Sequence, residues 1–226
     1  MMDETPDKPV IKPIVIAVDG PAASGKGTVS RRIAHFYDLE YLDTGRLYRG
    51  VGWLVLASGL DPRNPDEAAS IAETFTLPLI DGADIRTPEV GRAASHVAAV
   101  PAVRAALLQF QRDFAFNPPA GRAGTVLDGR DIGTVICPDA TVKLFIDASA
   151  EERAKRRWKE LSLQDPSIAL ESVLDDIRRR DRRDASRAAA PMKAAQDAHL
   201  IDTTNLDIDG AFAAVRRVID RATGGA

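Results

Sequence analysis

Residues 14–37 constrain this chain more than any other stretch. Ile14-Val15-Ile16-Ala17-Val18-Asp19 is a short apolar run of the kind that forms a buried strand. It runs directly into Gly20-Pro21-Ala22-Ala23-Ser24-Gly25-Lys26-Gly27-Thr28, and then into the amphipathic pattern of Val29–Tyr37. Strand, glycine-rich loop and helix in immediate succession are the context of a phosphate-binding P-loop. Small residues let the backbone curl so that its N–H groups point inward at phosphate oxygens, and the helix N-terminus adds the positive end of its dipole. Gly20 through Thr28 are therefore the candidate ATP cradle. Lys26 is expected to reach the β- and γ-phosphates and the Thr28 hydroxyl to hold Mg²⁺.

Four more short apolar runs read as buried parallel strands: Glu40–Leu42, Thr125–Leu127, Thr141–Ile146 and His199–Ile201. Helical patterns separate them, which predicts an α/β fold with a parallel sheet. Two gaps are too long for simple crossovers. Residues 44–116 read as an excursion of several helices (Arg46–Ala57, Pro65–Thr74, Glu89–Ala98, Val103–Phe114) around a Gly/Asp turn at Leu79–Ile85, the place for a substrate-binding subdomain. Residues 151–187 read as two charged helices, Glu151–Leu161 and Ser172–Arg187, joined by a loop at Ser162–Ser167. Their apolar stripe is thin, so this pair is expected to be the least tightly packed part, either a mobile lid or a peripheral helix pair. Met1 to Pro13 reads as a flexible leader without the apolar core of a signal peptide, and the whole chain, 1–226, as one domain.

Composition enters as a filter. With 30 Lys and Arg against 33 Asp and Glu, the net charge is −3, and the basic excess of a non-specific nucleic-acid binder is missing. Anion binding must then come from local placement of arginine. A single cysteine, Cys137, forbids an intrachain disulfide and suits a reducing compartment, and no apolar run approaches bilayer length, so a cytoplasmic protein without membrane contact is expected. His35, His96 and His199 have no metal-ligand spacing and, like Cys137, read as structural.

Arginine placement points to a second anion. Asp43-Thr44-Gly45 ends the second strand and opens a helix with Tyr48 and Arg49, so Thr44 could cap a helix N-terminus that binds an anion beside Arg49, or cap it and nothing more. Arg180, Arg183, Asp184 and Arg187 fall on one face if the helix runs through them. Such a cluster can neutralise a transferring phosphoryl group or be a solvated face, and Arg153, Arg156 and Arg157 on the preceding helix favour a phosphate clamp. Thr125-Val126-Leu127-Asp128 is an apolar strand ending in a carboxylate, either a turn-former or a partner of metal-bound water. Gly129-Arg130-Asp131 after it favours the metal.

These motifs together resemble the bacterial cytidylate kinase family, from about Ile14 to the C-terminal helix. The likeness rests on Gly20–Thr28, where Gly27 between Lys26 and Thr28 gives the Gly-Lys-Gly-Thr form of nucleoside monophosphate kinases. It also rests on Leu42-Asp43-Thr44-Gly45 with Tyr48-Arg49, Ile85-Arg86-Thr87, Ala94-Ser95, Pro101 to Arg104, Asp128 through Thr134, and Arg180-Asp181 through Arg187 with Ala190-Pro191. The resemblance implies a P-loop fold with a five-stranded parallel sheet in order 2-3-1-4-5, a monophosphate-binding excursion and a helical lid. It implies that Ser95, Arg104 and Asp131 read cytosine, that Arg180 and Asp184 hold the sugar, and that Arg49, Arg130 and Arg187 grip the acceptor phosphate. Thr44 stands where Ser is frequent. Thr76–Thr87 is too short for a full version of the small β-sheet that long members carry.

The expected reaction is transfer of the ATP γ-phosphoryl group to CMP or dCMP by a monomer. Lys26, Arg130, Arg153, Arg157 and Arg183 are the candidate catalytic residues, and Mg²⁺ is held by Thr28 and, through water, Asp128. No protein nucleophile is needed, because the acceptor phosphate oxygen is already anionic. The alternatives are another P-loop small-molecule kinase of UMP, AMP or shikimate type, or a nucleotide-dependent regulatory protein without catalysis.

Overall fold

The computed structural model describes residues 13–163 and 165–224; residues 1–12 of the expected leader lie outside them. The chain runs β1 (Ile14–Asp19), α1 (Lys26–Phe36), β2 (Glu40–Asp43), α2 (Thr44–Ala57), α3 (Pro65–Glu73), α4 (Pro88–Val97), α5 (Pro101–Phe116), β3 (Gly124–Gly129), β4 (Val142–Asp147), α6 (Ala150–Ser162), α7 (Leu170–Ala185), β5 (His199–Asp202) and α8 (Ile208–Thr223). All five expected strands form, and they pair in one parallel sheet of order β2-β3-β1-β4-β5.

β1 lies in the middle, paired to β3 from Ile14↔Gly124 and to β4 from Ile16↔Val142. Its side chains alternate across the sheet as period two requires. Ile16 and Val18 join a core with Val29, Ile33, Val126, Leu144, Phe212 and Val215 under α1 and α8. Val15 and Ala17 face Leu42, Leu127, Ile132 and Ile136 on the other side. Burial on both faces explains why β1 reads as an unbroken apolar run rather than an alternating one.

Residues 44–116 form the expected helical excursion, with a core of its own from Leu47, Val51, Val55, Val97, Val103 and Leu107. α2 and α4 approach closely because Gly52 has no side chain: a Cβ there would lie 2.8 Å from the Ala94 nitrogen. A one-turn 3₁₀ helix, Leu77–Ile80, leads into the expected Gly/Asp turn, where Gly82 is left-handed (φ 78°) and the Ala83 amide donates to the Ile80 carbonyl at 3.1 Å, and no strand forms in 76–87. Helix starts follow their capping residues. Asn64 accepts from the Asp66 and Glu67 amides ahead of α3, and Thr87 and Ser149 do the same one turn into α4 and α6. α5 begins two residues before the apolar pattern, at Pro101, because proline suits the first helical position. A helical turn at Ile132–Ile136, right after Gly129-Arg130-Asp131, has no counterpart in the sequence reading.

α6 and α7 pair through a small cluster of Ala154, Val173 and Ile177, separate from the other three cores, with the Trp158 indole donating to the Ile168 carbonyl at 2.8 Å. Among the described residues no single helix is long and apolar enough to cross a membrane. The bent pair α4–α5 reaches that apolarity only across a 96° break, with Ala94, Val97, Val103 and Leu107 packed in the excursion core and Leu108, Phe114 and Ala115 against the sheet's second core.

Candidate active site

The cradle forms at the C-terminal end of β1, on the sheet's central strand, where open α/β sheets place their ligand crevice. Gly20 (φ 144°) passes so close to β4 that a Cβ would overlap the Ile146 carbonyl oxygen, and Gly25 (φ 87°) supplies the left-handed turn into α1. Gly27 explains the departure from a Ser or Thr after lysine. A side chain there would meet the Asp128 carboxylate at 3.3 Å and the Tyr41 hydroxyl at 3.7 Å. Ala22 through Thr28 line a cleft of about 890 Å³, while Gly20 and Pro21 shape the loop from behind.

Lys26 faces Asp128 and Asp43 across the cleft. Loss of water lowers its pKa to about 8, with Arg130 adding to the shift and the two carboxylates opposing it. Asp128 is 4% exposed and accepts a 2.5 Å hydrogen bond from Tyr41. Burial raises its pKa against the pull of Lys26. Asp43 responds the other way: burial opposes it, yet Arg49, at 2.5 Å, and Lys26 hold its carboxyl below the usual range. Thr44 is not the cap expected of it. Asp43 caps α2 by accepting from the Arg46 amide, and the Thr44 hydroxyl donates to the Asp128 carbonyl at 2.7 Å, tying β2 to β3.

Beyond this wall, the same cleft opens into a chamber built around Asp184. This carboxylate, 1% exposed, accepts from Ser95 at 3.0 Å, Arg130 at 3.2 Å and Arg187 at 2.5 Å, and Arg180 stands 3.7 Å away. Burial opposes its ionisation, but Arg130, Arg180 and Arg187 hold its pKa below the ordinary value. One carboxylate serves three guanidinium groups, so the chamber keeps a positive excess. Loss of water on burial draws Arg180 down to about 10, with Arg130 adding to the shift and Asp184 opposing it. The Nε atoms of Arg49, Arg180 and Arg187 are buried and make no hydrogen bond. Beside them Arg104 and Asp131 form a buried ion pair, with Arg104 over the Tyr48 ring at 5.5 Å. Burial raises the Asp131 pKa against Arg104.

The structure thus brings Thr44, Arg49, Ser95, Arg104, Arg130, Asp131, Arg180, Asp184 and Arg187 to one cleft with Lys26 and Thr28. Arg157 and Arg183 line it too, though each is engaged: Arg157 with Glu160 and the Arg86 carbonyl, Arg183 with His96 at 2.8 Å. Arg153 is not brought there. It is 5% exposed, pairs with Asp181 at 2.6 Å and donates to the Ala22 and Ala148 carbonyls behind the loop. Three positions along, Arg156 reaches the cleft and donates to the Ser24 and Thr203 carbonyls. α7 ends at Ala185, so Arg187 lies past the helix and reaches Asp184 from its C-terminal side. Sequence reasoning also missed the segment Thr203–Asp209, whose Leu206 and Ile208 form an apolar edge of the cleft. Asp207 at the cap of α8 was its one signal.

The sequence profile of a family described as cytidylate kinase matches residues 16–221. A cytidylate kinase of Azorhizobium caulinodans is 54% identical over 213 residues, covering 93% of this chain and all of that protein. One from Granulibacter bethesdensis is 52% identical over 208 residues, 92% of this chain and 97% of that protein. Among solved structures, an uncharacterised protein from Eubacterium ventriosum superposes with a TM-score of 0.51 at 15% identity, covering 92% of this chain and 98% of that one, a likeness of fold alone.

Proposed function

The chain belongs to the cytidylate kinase family and is an ATP-dependent phosphotransferase acting on CMP or dCMP, and from that premise we propose how its residues divide the reaction. The observation that carries the proposal is the continuity of the cleft: a P-loop with Lys26 at one end and an arginine chamber with unspent donors at the other. Two phosphate-bearing substrates can meet there in line.

ATP enters with its phosphates in the loop of residues 20–28 and its base toward Thr203–Asp209, where Leu206 and Ile208 offer an apolar edge. Lys26 carries its charge to the β- and γ-phosphates. The acceptor lies across the cleft. Arg49, Arg130 and Arg187 take its phosphate, Arg180 and Asp184 its sugar, and Ser95, Arg104 and Asp131 its base. Cytosine presents an N4 donor beside N3 and O2 acceptors, and a carboxylate paired with an arginine offers the complement. Uracil presents an oxygen where Asp131 needs a donor, and a buried site rejects that mismatch strongly.

An oxygen of the acceptor phosphate attacks the γ-phosphorus, the bond to the β-bridging oxygen breaks, and ADP leaves with that electron pair. The protein's contribution is placement and charge. Arg130 sits beside both Lys26 and Asp184, so it can follow the phosphoryl group from donor to acceptor. Arg157 and Arg183 join from the α6–α7 hairpin, which serves as a lid over residues 44–116, and Arg156 is the lid arginine that both touches the loop and lines the cleft. Closing that lid excludes water and protects ATP from hydrolysis.

A Mg²⁺ ion suits the donors present. Thr28 is exposed to the cleft and the Asp128 carboxylate stands against the loop at Gly27. Magnesium keeps several waters and shares phosphate oxygens, so one hydroxyl and one carboxylate reached through water are sufficient protein ligands. When bound, it neutralises charge on the β- and γ-phosphates. The net charge of −3 is in keeping with free mononucleotides as substrates and the lone Cys137 with a reducing cytoplasm; a monomer is the working state proposed.

A coupled ADP-release assay tests the assignment, with ATP, Mg²⁺ and a panel of CMP, dCMP, UMP, AMP, GMP and shikimate. Stimulation by CMP and dCMP is the expected result. Equal stimulation by UMP would remove Ser95, Arg104 and Asp131 as readers of the base.

A further inference from the structure

Asp19, the last residue of β1, is 3% exposed and touches neither end of the cleft. Its two carboxylate oxygens accept the backbone N–H groups of Ile132 and Gly133, both at 2.8 Å. Those amides open the helical turn Ile132–Ile136, whose N-cap position belongs to Asp131. An aspartate at that position ordinarily caps its own turn. Here Asp131 makes no such bond, because its side chain is turned to Arg104.

We propose that Asp19 is a positioning residue for the acceptor site: it caps the 132–136 turn in place of Asp131 and so frees Asp131 and Arg130 to face the cleft. The other end of the turn is held independently, by Arg112 donating to the Val135 and Ile136 carbonyls at 3.1 Å. Lys143 backs its middle, where a Cβ on Gly133 would come 3.2 Å from the lysine stem. Of these supports only Asp19 belongs to the strand that carries the ATP loop. One carboxylate therefore adds a direct side-chain link between the donor cradle and the residues that meet the acceptor, beyond the backbone pairing that brings β1 to Gly129.

The Asp19 carboxyl is buried together with the two amides it accepts from. Burial, with Asp131 adding, pushes its pKa up to about 7 against its two amide bonds and Arg130.

The inference rests on the assignment of Arg130 and Asp131 to the acceptor, and the test separates the two. Asp19→Asn keeps the shape but turns one acceptor into a donor facing an N–H. Asp19→Ser, equally neutral, withdraws both carboxylate acceptors without placing a donor against an N–H and decides the matter if the first variant does not fold. For either, kcat/KM for CMP is expected to fall by about tenfold or more, the cost of losing a charge-assisted bond in an aligned site. The CMP-to-UMP preference should narrow while KM for ATP stays within about twofold. A rise in KM for ATP equal to that for CMP would overturn the proposal. So would a lowered melting temperature with unchanged CMP kinetics and unchanged base preference. Asp131→Ala is measured alongside. If it leaves base preference intact, the acceptor assignment fails and the role of Asp19 fails with it. If it relaxes preference and the Asp19 variants do not, the role of Asp19 alone is refuted.

Discussion

Replacing Asp184 by Asn removes the negative charge that Arg130, Arg180 and Arg187 share while keeping the side chain's shape. Arg187 is 4% exposed and Arg130 15%, so neither can recover the lost partner from bulk water. Removing one member of a buried ion pair costs about 3–5 kcal/mol. Asn retains one acceptor for Ser95 or Arg187, which places the expectation near the lower bound, about 3 kcal/mol. For a chain of 226 residues, each kcal/mol lowers the melting temperature by about 2–4 °C, giving a loss of about 6–12 °C. Thermal unfolding followed by circular dichroism reads this directly. The pH dependence has a definite sign. Asp184 has a folded pKa below its unfolded one, so its contribution is complete above the unfolded value and is lost as pH falls through the folded value. Wild type and variant should therefore converge in acid and separate near neutrality. KM for CMP should rise with KM for ATP little changed. A melting temperature within about 2 °C of wild type at pH 7 would mean that the arginines do not depend on Asp184, and the charge argument for the chamber would fall.

Lys26→Ala should abolish turnover and leave the melting temperature near wild type, as read by steady-state rates and thermal unfolding; substantial residual activity would remove the cradle from the mechanism. In the wild type, kcat/KM for ATP should decline above about pH 8 as free Lys26 loses its proton, and a profile flat well beyond that pH would contradict the lowered pKa. Asp131→Ala should reduce the CMP-to-UMP ratio by about tenfold or more in a substrate panel, since the variant can no longer accept from N4. Gly52→Ala should force α2 and α4 apart, costing about 1–3 kcal/mol. It should also raise KM for CMP through Ser95, next to the displaced Ala94, and equal KM values for both substrates in wild type and variant would count against that coupling.

Much of this arrangement is legible in the order of residues. β1, β3 and β4 announce themselves because burial on both faces demands short unbroken apolar runs, whereas the edge strands β2 and β5 are only partly covered and β5, expected to be buried, is largely exposed; the loop of residues 20–28 is legible because only small residues permit its curl. Individual arginines are harder. Arg153 and Arg156 sit one helical turn apart in a uniformly charged stretch, and which of them enters the cleft depends on how α6 rolls against Asp181 and the loop. Arg187 reads as a helix-face residue, yet the chain leaves the helix at Ser186 and brings it back by another route. Thr44 and Asp43 are both good caps, and choosing between them requires knowing that β3 offers the Asp128 carbonyl to a hydroxyl. Asp19 has no sequence signal of its role, since its partners are backbone amides far along the chain.

The central place of β1 has a consequence for how the protein comes into being. The strand that bears the ATP loop is made early, but its neighbours are β3, beginning at Gly124, and β4, beginning at Val142. Gly20 closes its turn against Ile146, and Asp19 waits for Ile132 and Gly133. At ordinary synthesis speeds of about 5–20 residues per second, the nascent chain spends several seconds with its loop sequence complete and its loop shape impossible. Nucleotide cannot act as an early template for folding, because the site that binds it is assembled from long-range pairings late in the process. The growing chain is thus left to bury its apolar strands without help from its own substrate.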